Sequence, residues 1–206
     1  MKLEARNVSF GYGRRDWLLN NVNFKIESGE VVGVKGPSGS GKTTLARLLA
    51  GFETAQMGEI LIDGKKLPSK GYSPVQLVFQ HPETAVNPRW KMRTVLNEAW
   101  SVGPEWLTAL GIDESWLDRW PNELSGGELQ RFCVLRALGP KTRFLIADDM
   151  TTMLDAITQA QIWHIVLRIV QERKLGMIVI SHEQPLLDRV CDRVVDLESL
   201  MHVVKD

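Results

Sequence analysis

Gly36-Pro37-Ser38-Gly39-Ser40-Gly41-Lys42-Thr43 is the stretch that decides how the rest of this 206-residue chain is read. It fits G-x-x-x-x-G-K-[ST], the pattern of a loop that cradles the phosphates of a nucleoside triphosphate. Gly36, Gly39 and Gly41 permit backbone conformations closed to other residues, so successive N–H groups turn inward on phosphate oxygens. The helix expected to follow points its positive dipole end at the same anions. Lys42 supplies a point charge to the β- and γ-phosphates, and the Thr43 hydroxyl is placed to ligate Mg²⁺. The whole run, with Pro37, Ser38, Ser40 and the following Thr44, is the expected nucleotide contact. Its setting fits: the apolar run Val31-Val32-Gly33-Val34 precedes it, and a helical stretch from Thr43 to Ala50, stopped by Gly51, follows it.

A second element carries paired acids. Arg143-Phe144-Leu145-Ile146-Ala147-Asp148-Asp149 reads as an apolar strand ending in two carboxylates. Such a strand delivers Asp148 beside the phosphate loop to hold hydrated Mg²⁺. Asp149 is then the candidate to orient or deprotonate the attacking water. Two acids after a strand also suit a solvated turn, and the complete phosphate loop argues against that reading.

A third element is Leu124-Ser125-Gly126-Gly127-Glu128-Leu129-Gln130-Arg131. Ser125 three residues before Glu128 is a capping-box pattern, so a helix should start there and run through Arg131, Val134 and Leu135. Its first N–H groups lack intrahelical partners, and Gly126 and Gly127 leave room for a phosphate to approach. One ATP needs one cradle, and this chain already has one. A second glycine-containing loop that opens a helix therefore suggests a site built from two molecules, each covering the other's nucleotide.

Around these elements the chain alternates strands and helices, as a mostly parallel sheet covered by helices requires. The early segments, with Val22, Phe24 and Ile26 alternating with polar residues, look antiparallel; Glu59–Gly64 and Val75–Phe79 read as further strands. From Asn87 to about Gly139 strand signals vanish, and short helical pieces are punctuated by Pro88, Gly103, Pro104, Gly111 and Pro121. Strands return at Phe144–Ala147 and Met177–Ile180, with an amphipathic helix from about Ala156 to Lys174 between them.

Composition sets the outer limits. A 44% hydrophobic content supports a packed core. Lys plus Arg and Asp plus Glu are each 25, so there is no basic excess of the kind that marks nucleic-acid binding. Cys133 and Cys191 lie far apart without metal-ligand spacing, which favours reduced, buried thiols. Nothing approaches the ~20 apolar residues of a membrane span.

The order of these motifs resembles the ATP-binding cassette ATPases, the nucleotide-binding subunits of membrane transporters, over essentially the whole chain. The resemblance implies an α/β fold: a RecA-like phosphate-loop NTPase core with an antiparallel β subdomain and a small helical subdomain. Residues 1–84 and 141–206 would form the core with its β subdomain, and 85–140 the helical subdomain that carries the Ser125 loop. It implies that Tyr12 stacks on adenine, that Gln80 contacts Mg²⁺ and the attacking water, and that His182 contacts the γ-phosphate. It also implies that Ser125, Gly126 and Gly127 reach the γ-phosphate held by the other subunit, and that Met153-Leu154-Asp155 crosses to that subunit. ATP and Mg²⁺ are the implied cofactors. The implied partners are a second ATPase subunit, integral membrane permeases and, indirectly, a substrate-binding protein, with the chain peripheral on the cytoplasmic face of the membrane.

Val78-Phe79-Gln80-His81-Pro82-Glu83-Thr84-Ala85-Val86-Asn87-Pro88-Arg89 and Ile146 to Asp155 are similar to the ATPases of dipeptide, oligopeptide and nickel importers. Two departures lie at the chemistry: Asp149 stands where the family has Glu, and Met150 where it has Pro. Removing one methylene pulls the carboxylate back by ~1.5 Å, and a displacement near 1 Å costs on the order of 100-fold in rate. Slowed hydrolysis, or a purely ATP-binding regulatory role within a heterodimer, is therefore a second expectation. A soluble cassette protein outside transport is a third, weakened by the lack of coiled coils or tandem cassettes. Five of the seven tryptophans, Trp90, Trp100, Trp106, Trp116 and Trp120, fall in the helical segment. Most should fill its core, with one or two left as anchors for a membrane partner.

Overall fold

The computed structural model describes residues 1–13, 16–68 and 70–201. The first two strands, β1 (Lys2–Phe10) and β2 (Leu19–Glu27), pair antiparallel, with Leu3 opposite Ile26 and Phe10 opposite Leu19. Strand β3 (Val31–Lys35) runs into the glycine-rich loop, and helix α1 (Lys42–Ala50) leaves it. Gly51 ends α1 in the left-handed conformation, its N–H reaching the carbonyls of Arg47 and Leu48. Strands β4 (Met57–Ile62) and β5 (Lys65–Lys66) complete a four-stranded antiparallel sheet in the order β2-β1-β4-β5. Gly58 is required where β4 crosses β1: its φ is +76°, and a Cβ there would run into the carbonyl oxygens of Arg6 and Asn7.

Strand β6 (Val75–Val78) opens the second half of a five-stranded parallel sheet ordered β6-β7-β8-β3-β9. Its other members are β7 (Phe144–Asp148), β8 (Gly176–Ile180) and β9 (Arg193–Asp196). Between β6 and β7 lie α2 (Met92–Asn97), α3 (Pro104–Ala109), short 3₁₀ turns and α4 (Gly126–Ala137). Helix α5 (Ala156–Arg173) connects β7 to β8, and α6 (Gln184–Val190) connects β8 to β9. Lys174, expected as the last helical residue, instead caps α5 in the left-handed region at φ +51°.

Side-chain alternation along the parallel strands separates two cores. Val31, Val78, Leu145, Ala147, Met177 and Val179 face α4 and α5, with Phe132, Leu135 and Trp163 among the buried partners. Val32, Val34, Leu77, Ile146, Ile178 and Ile180 face α1 and the antiparallel sheet, where Leu45, Leu48 and Leu49 are fully covered. The first core continues into the segment between β6 and β7 through Met92, Val95, Leu96, Leu107 and Leu110.

The register fixes the working end of the sheet. Asp148 pairs with Ile180, and Ile180 pairs with Val34. Asp149, His182 and Gly36 therefore leave three adjacent strands at one edge, the carboxyl ends where α/β sheets hold their ligands. Strand β6, whose Val78 pairs with Ala147, brings Gln80 to the same edge. It stops one residue short of the expected Phe79, whose carbonyl accepts a bond from Gln130 of α4 instead.

Candidate nucleotide site

The loop between β3 and α1 is shaped around its glycines. Gly41 is the N-cap of α1 at φ +101°, with no side chain capping the helix, and a Cβ at this position would sit 2.9 Å from Leu19. The first turn carries no acidic residue, so no side chain of the helix itself competes for its free N–H groups. Lys42 reaches back over the loop, its Nζ donating to the carbonyls of Gly36 and Pro37 at 2.8 Å each. Ser40 Oγ is buried without a hydrogen-bond partner among the described residues. A buried hydroxyl left in this way is uncommon, and a bound phosphate oxygen is the acceptor it lacks. The donors present thus fit a polyphosphate.

Tyr12 stands beside this loop. Its hydroxyl is 3.3 Å from Thr44 Oγ1, its ring packs edge-on against Phe10 with centroids 5.1 Å apart, and it is 66% exposed. An exposed ring tethered to the first turn of α1 suits stacking on a planar base.

Thr43 lies beside the Asp148 carboxylate and favours its charged form, which places two of the expected Mg²⁺ ligands together. Asp148 is almost fully buried, and its pKa is raised, first by burial and further by Asp149 next to it, against the lowering effect of the Thr43 hydroxyl. Among the described residues no three His, Cys, Asp or Glu side chains converge to hold a metal by themselves. One carboxylate with a hydroxyl is the sparse protein contribution that Mg²⁺ takes when phosphates and water supply the rest.

Asp149 adopts φ +45°, a conformation in which Asp is better tolerated than most side chains. Its N–H donates to the Ile180 carbonyl at 2.9 Å, and its Oδ1 lies 3.2 Å from His182 Nδ1. Met150, in the place of the family's Pro, is buried in the core against α4 and α5. Gln80 Nε2 donates to Thr152 Oγ1 at 3.3 Å, and that hydroxyl donates to the Asp149 carbonyl at 3.0 Å. Thr152 thus connects Gln80 to the carboxylate loop. The sequence reading gave it no role, although the two threonines following the paired acids were the available signal.

Ser125, Gly126, Gly127 and Asp155 form a separate group. They line a pocket of about 380 Å³ with Trp116, Glu128, Arg131, Met153, Leu154 and Thr158, and none of residues 36–44 reaches it. The capping box is complete: Ser125 Oγ accepts the Glu128 N–H at 3.3 Å, and Glu128 Oε2 accepts the Ser125 N–H at 2.7 Å. Asp155 caps α5 by accepting from the N–H groups of Ile157 and Thr158, and the Thr158 bond holds its pKa below the usual carboxylate value.

The sequence profile of the ABC transporter family matches residues 19–152, which span the phosphate loop, the Ser125 loop and both carboxylates. The chain belongs to the ABC transporter family. ABC relatives include the nickel import ATP-binding protein NikE of Escherichia coli K12, 35% identical over 201 residues, covering 88% of this chain and 75% of that protein. The nickel import system ATP-binding protein NikE of Staphylococcus aureus is 35% identical over 215 residues, covering 98% and 88%. Among solved structures, the ATP-binding cassette MJ0796, described as a dimer in a post-hydrolysis state with ADP and Pi, superposes with a TM-score of 0.80 at 25% identity, covering 94% of this chain and 93% of that one. The mixed antiparallel and parallel architecture is that of the ABC ATPase fold.

The tryptophans of this ABC chain divide as their surroundings dictate. Trp100 and Trp106 meet edge to face at 5.7 Å and, with Trp116, pack on the core, while Trp90 and Trp120 are exposed. Cys133 is buried, whereas Cys191 is only half-buried. Burial pushes both thiols up to about 12.

Proposed function

We propose that the chain is the ATP-hydrolysing subunit of a membrane importer, acting as a dimer in which each ATP lies between one subunit's phosphate loop and the other's Ser125 loop. The observation that carries this reading is the separation of the two groups. Gly36 to Thr44, Tyr12, Gln80, Asp148, Asp149 and His182 gather at the carboxyl edge of one sheet. Ser125 to Gly127 line a different pocket, beside Met153 and Asp155. A second chain brings the two halves together.

In this reading the loop N–H groups, Lys42 and Ser40 bind the phosphates, and Tyr12 takes the base. Thr43, Asp148 and Gln80 would hold Mg²⁺, which supplies charge neutralisation at the phosphates. Asp149 orients and deprotonates water, and His182, in contact with it, reaches for the γ-phosphate. Residues 85–140 act as the helical subdomain and 1–84 with 141–206 as the nucleotide-binding core. A groove of about 650 Å³ lined by Tyr72, Gln76, Asn87, Trp90, Glu98 and Arg136 spans both and is the place for a permease element, with exposed Trp90 as its anchor. No helix among the described residues is long and apolar enough to cross a membrane; as an importer's ATPase subunit the chain would dock on the permease from the cytoplasmic side. The names of the NikE relatives favour nickel as the solute, and the importer-like stretches at residues 78–89 and 146–155 keep metal chelates and small peptides as alternatives.

The presence of Asp149 in place of Glu favours one refinement: ATP binds normally and turns over slowly at this chain's own site. The test is binding of Mg²⁺-ATP to the full chain, followed by phosphate release with and without the subunits that co-purify with it. Binding with partner-stimulated release is the expected result. Absence of release in every assembly would leave a regulatory ATP-binding role.

A further inference from the structure

Helix α4 makes two polar contacts with the segment that holds Gln80. Gln130 Nε2 donates to the Phe79 carbonyl at 3.2 Å, and Cys133 Sγ lies 3.7 Å from the Pro82 carbonyl. Residues three apart share one face of a helix, so a single face of α4 grips the chain immediately before Gln80 and shortly after it. The carbonyl only accepts, so the amide must turn its NH₂ toward Phe79. That carbonyl lies just past the end of β6 at Val78.

Gln130 is 1% exposed, and its Oε1 has no hydrogen-bond partner among the described residues. A half-satisfied buried amide is a poor choice for packing alone, since an apolar side chain of similar volume would carry no orphan acceptor. Its chemistry is therefore retained for the bond it donates. The helix that carries it begins at the Ser125 loop, one turn earlier.

We propose that Gln130 is a positioning residue for Gln80. It ties the backbone at Phe79 to the helix opened by Ser125-Gly126-Gly127. Docking of that loop on a partner's nucleotide and placement of Gln80 in the chain's own site then become one movement. The Gln80 side chain is fixed from the other side by Thr152, so its approach to the carboxylate loop depends on where α4 holds its backbone. This inference rests on the proposed function for the role of Gln80.

The test is Gln130→Met in the full chain, assembled with the subunits that co-purify with it. Met fills the space and donates nothing. ATP affinity, KM and thermal midpoint should stay at the native values while kcat falls on the order of tenfold, the scale of a slightly misplaced group. Hydrogen exchange of the peptide spanning residues 79–84 should lose the protection that Mg²⁺-ATP confers on the native chain. A native kcat and native protection in Gln130→Met, with ATP bound, would overturn this proposal and leave the function intact. Failure of the native chain to bind ATP would overturn both. If Gln130→Met does not fold, Gln130→Leu, which likewise has no hydrogen-bond donor, is read in the same way.

Discussion

The two glycine-containing loops of this chain begin helices in opposite ways. At the phosphate loop, Gly41 caps α1 with no side chain, the glycines at 36, 39 and 41 hold positive φ, and Ser40 Oγ is left unpaired. At the second loop, Ser125 and Glu128 satisfy each other's backbone, and neither Gly126 nor Gly127 has positive φ. The first loop has donors waiting for a ligand and strain that only glycine relieves. The second is complete in itself, and what it offers is access: a Cβ on Gly126 would meet nothing within 4 Å. Its Ser125 hydroxyl accepts the Glu128 N–H and still has its own proton to donate. The first loop's open donors suit enclosing an anion, and the second loop's finished cap suits the proposed docking on an anion held elsewhere.

Substitutions in each loop put that contrast to the test. Lys42→Ala should have the largest effect, lowering ATP turnover by about 10³-fold or more through loss of phosphate-directed charge, measured as phosphate release. The same charge removed from the second loop's helix, by Arg131→Ala, should change own-site ATP affinity little, because Arg131 holds Leu110 and Gln161 instead. Asp149→Glu restores the missing methylene and should raise turnover by up to about 100-fold. It should also cost a little thermal stability, since Glu tolerates φ +45° less well than Asp. Ser125→Ala should destabilise α4 by about 1 kcal/mol through loss of its cap, read by denaturant unfolding. It should leave own-site ATP affinity unchanged, whereas Gly41→Ala should impair it. The smallest change in stability belongs to Asp148→Asn. Its raised pKa means that the fold disfavours the charged form at neutral pH. Neutralisation should therefore raise the thermal midpoint of the nucleotide-free chain, read by thermal unfolding, while abolishing the Mg²⁺ dependence of ATP binding.

Much of this was legible in the residues because the chemistry demands fixed spacing. The phosphate loop, the capping box at Ser125 and Glu128, and the strand ending in Asp148 each announce their geometry within eight residues, and each folds as its pattern requires. Hidden from the sequence were contacts between distant segments. The Gln80–Thr152–Asp149 chain joins β6 to β7 across many intervening residues, and the Gln130 bond to Phe79 depends on how α4 packs beneath the sheet. The early end of β6 has the same origin, because a tertiary hydrogen bond claims the carbonyl that propensity would give to the strand. Asp149 read as a deletion of one methylene; its left-handed backbone, which gives the shorter acid a local rationale, is a property of the turn between β7 and its neighbours.

The central claim, that this chain's two loops serve two different ATP molecules, is tested most directly by mixing two disabled versions of the full chain. Lys42→Ala loses the phosphate loop and keeps the second loop. Gly126→Asp keeps the phosphate loop and places a repelling carboxylate where the structure has open space. Each alone should be silent in ATP hydrolysis, and their mixture should recover activity, because one mixed site then joins an intact phosphate loop to an intact Ser125 loop. A mixture as silent as its parts, or Gly126→Asp hydrolysing ATP by itself at the native rate, would contradict the account.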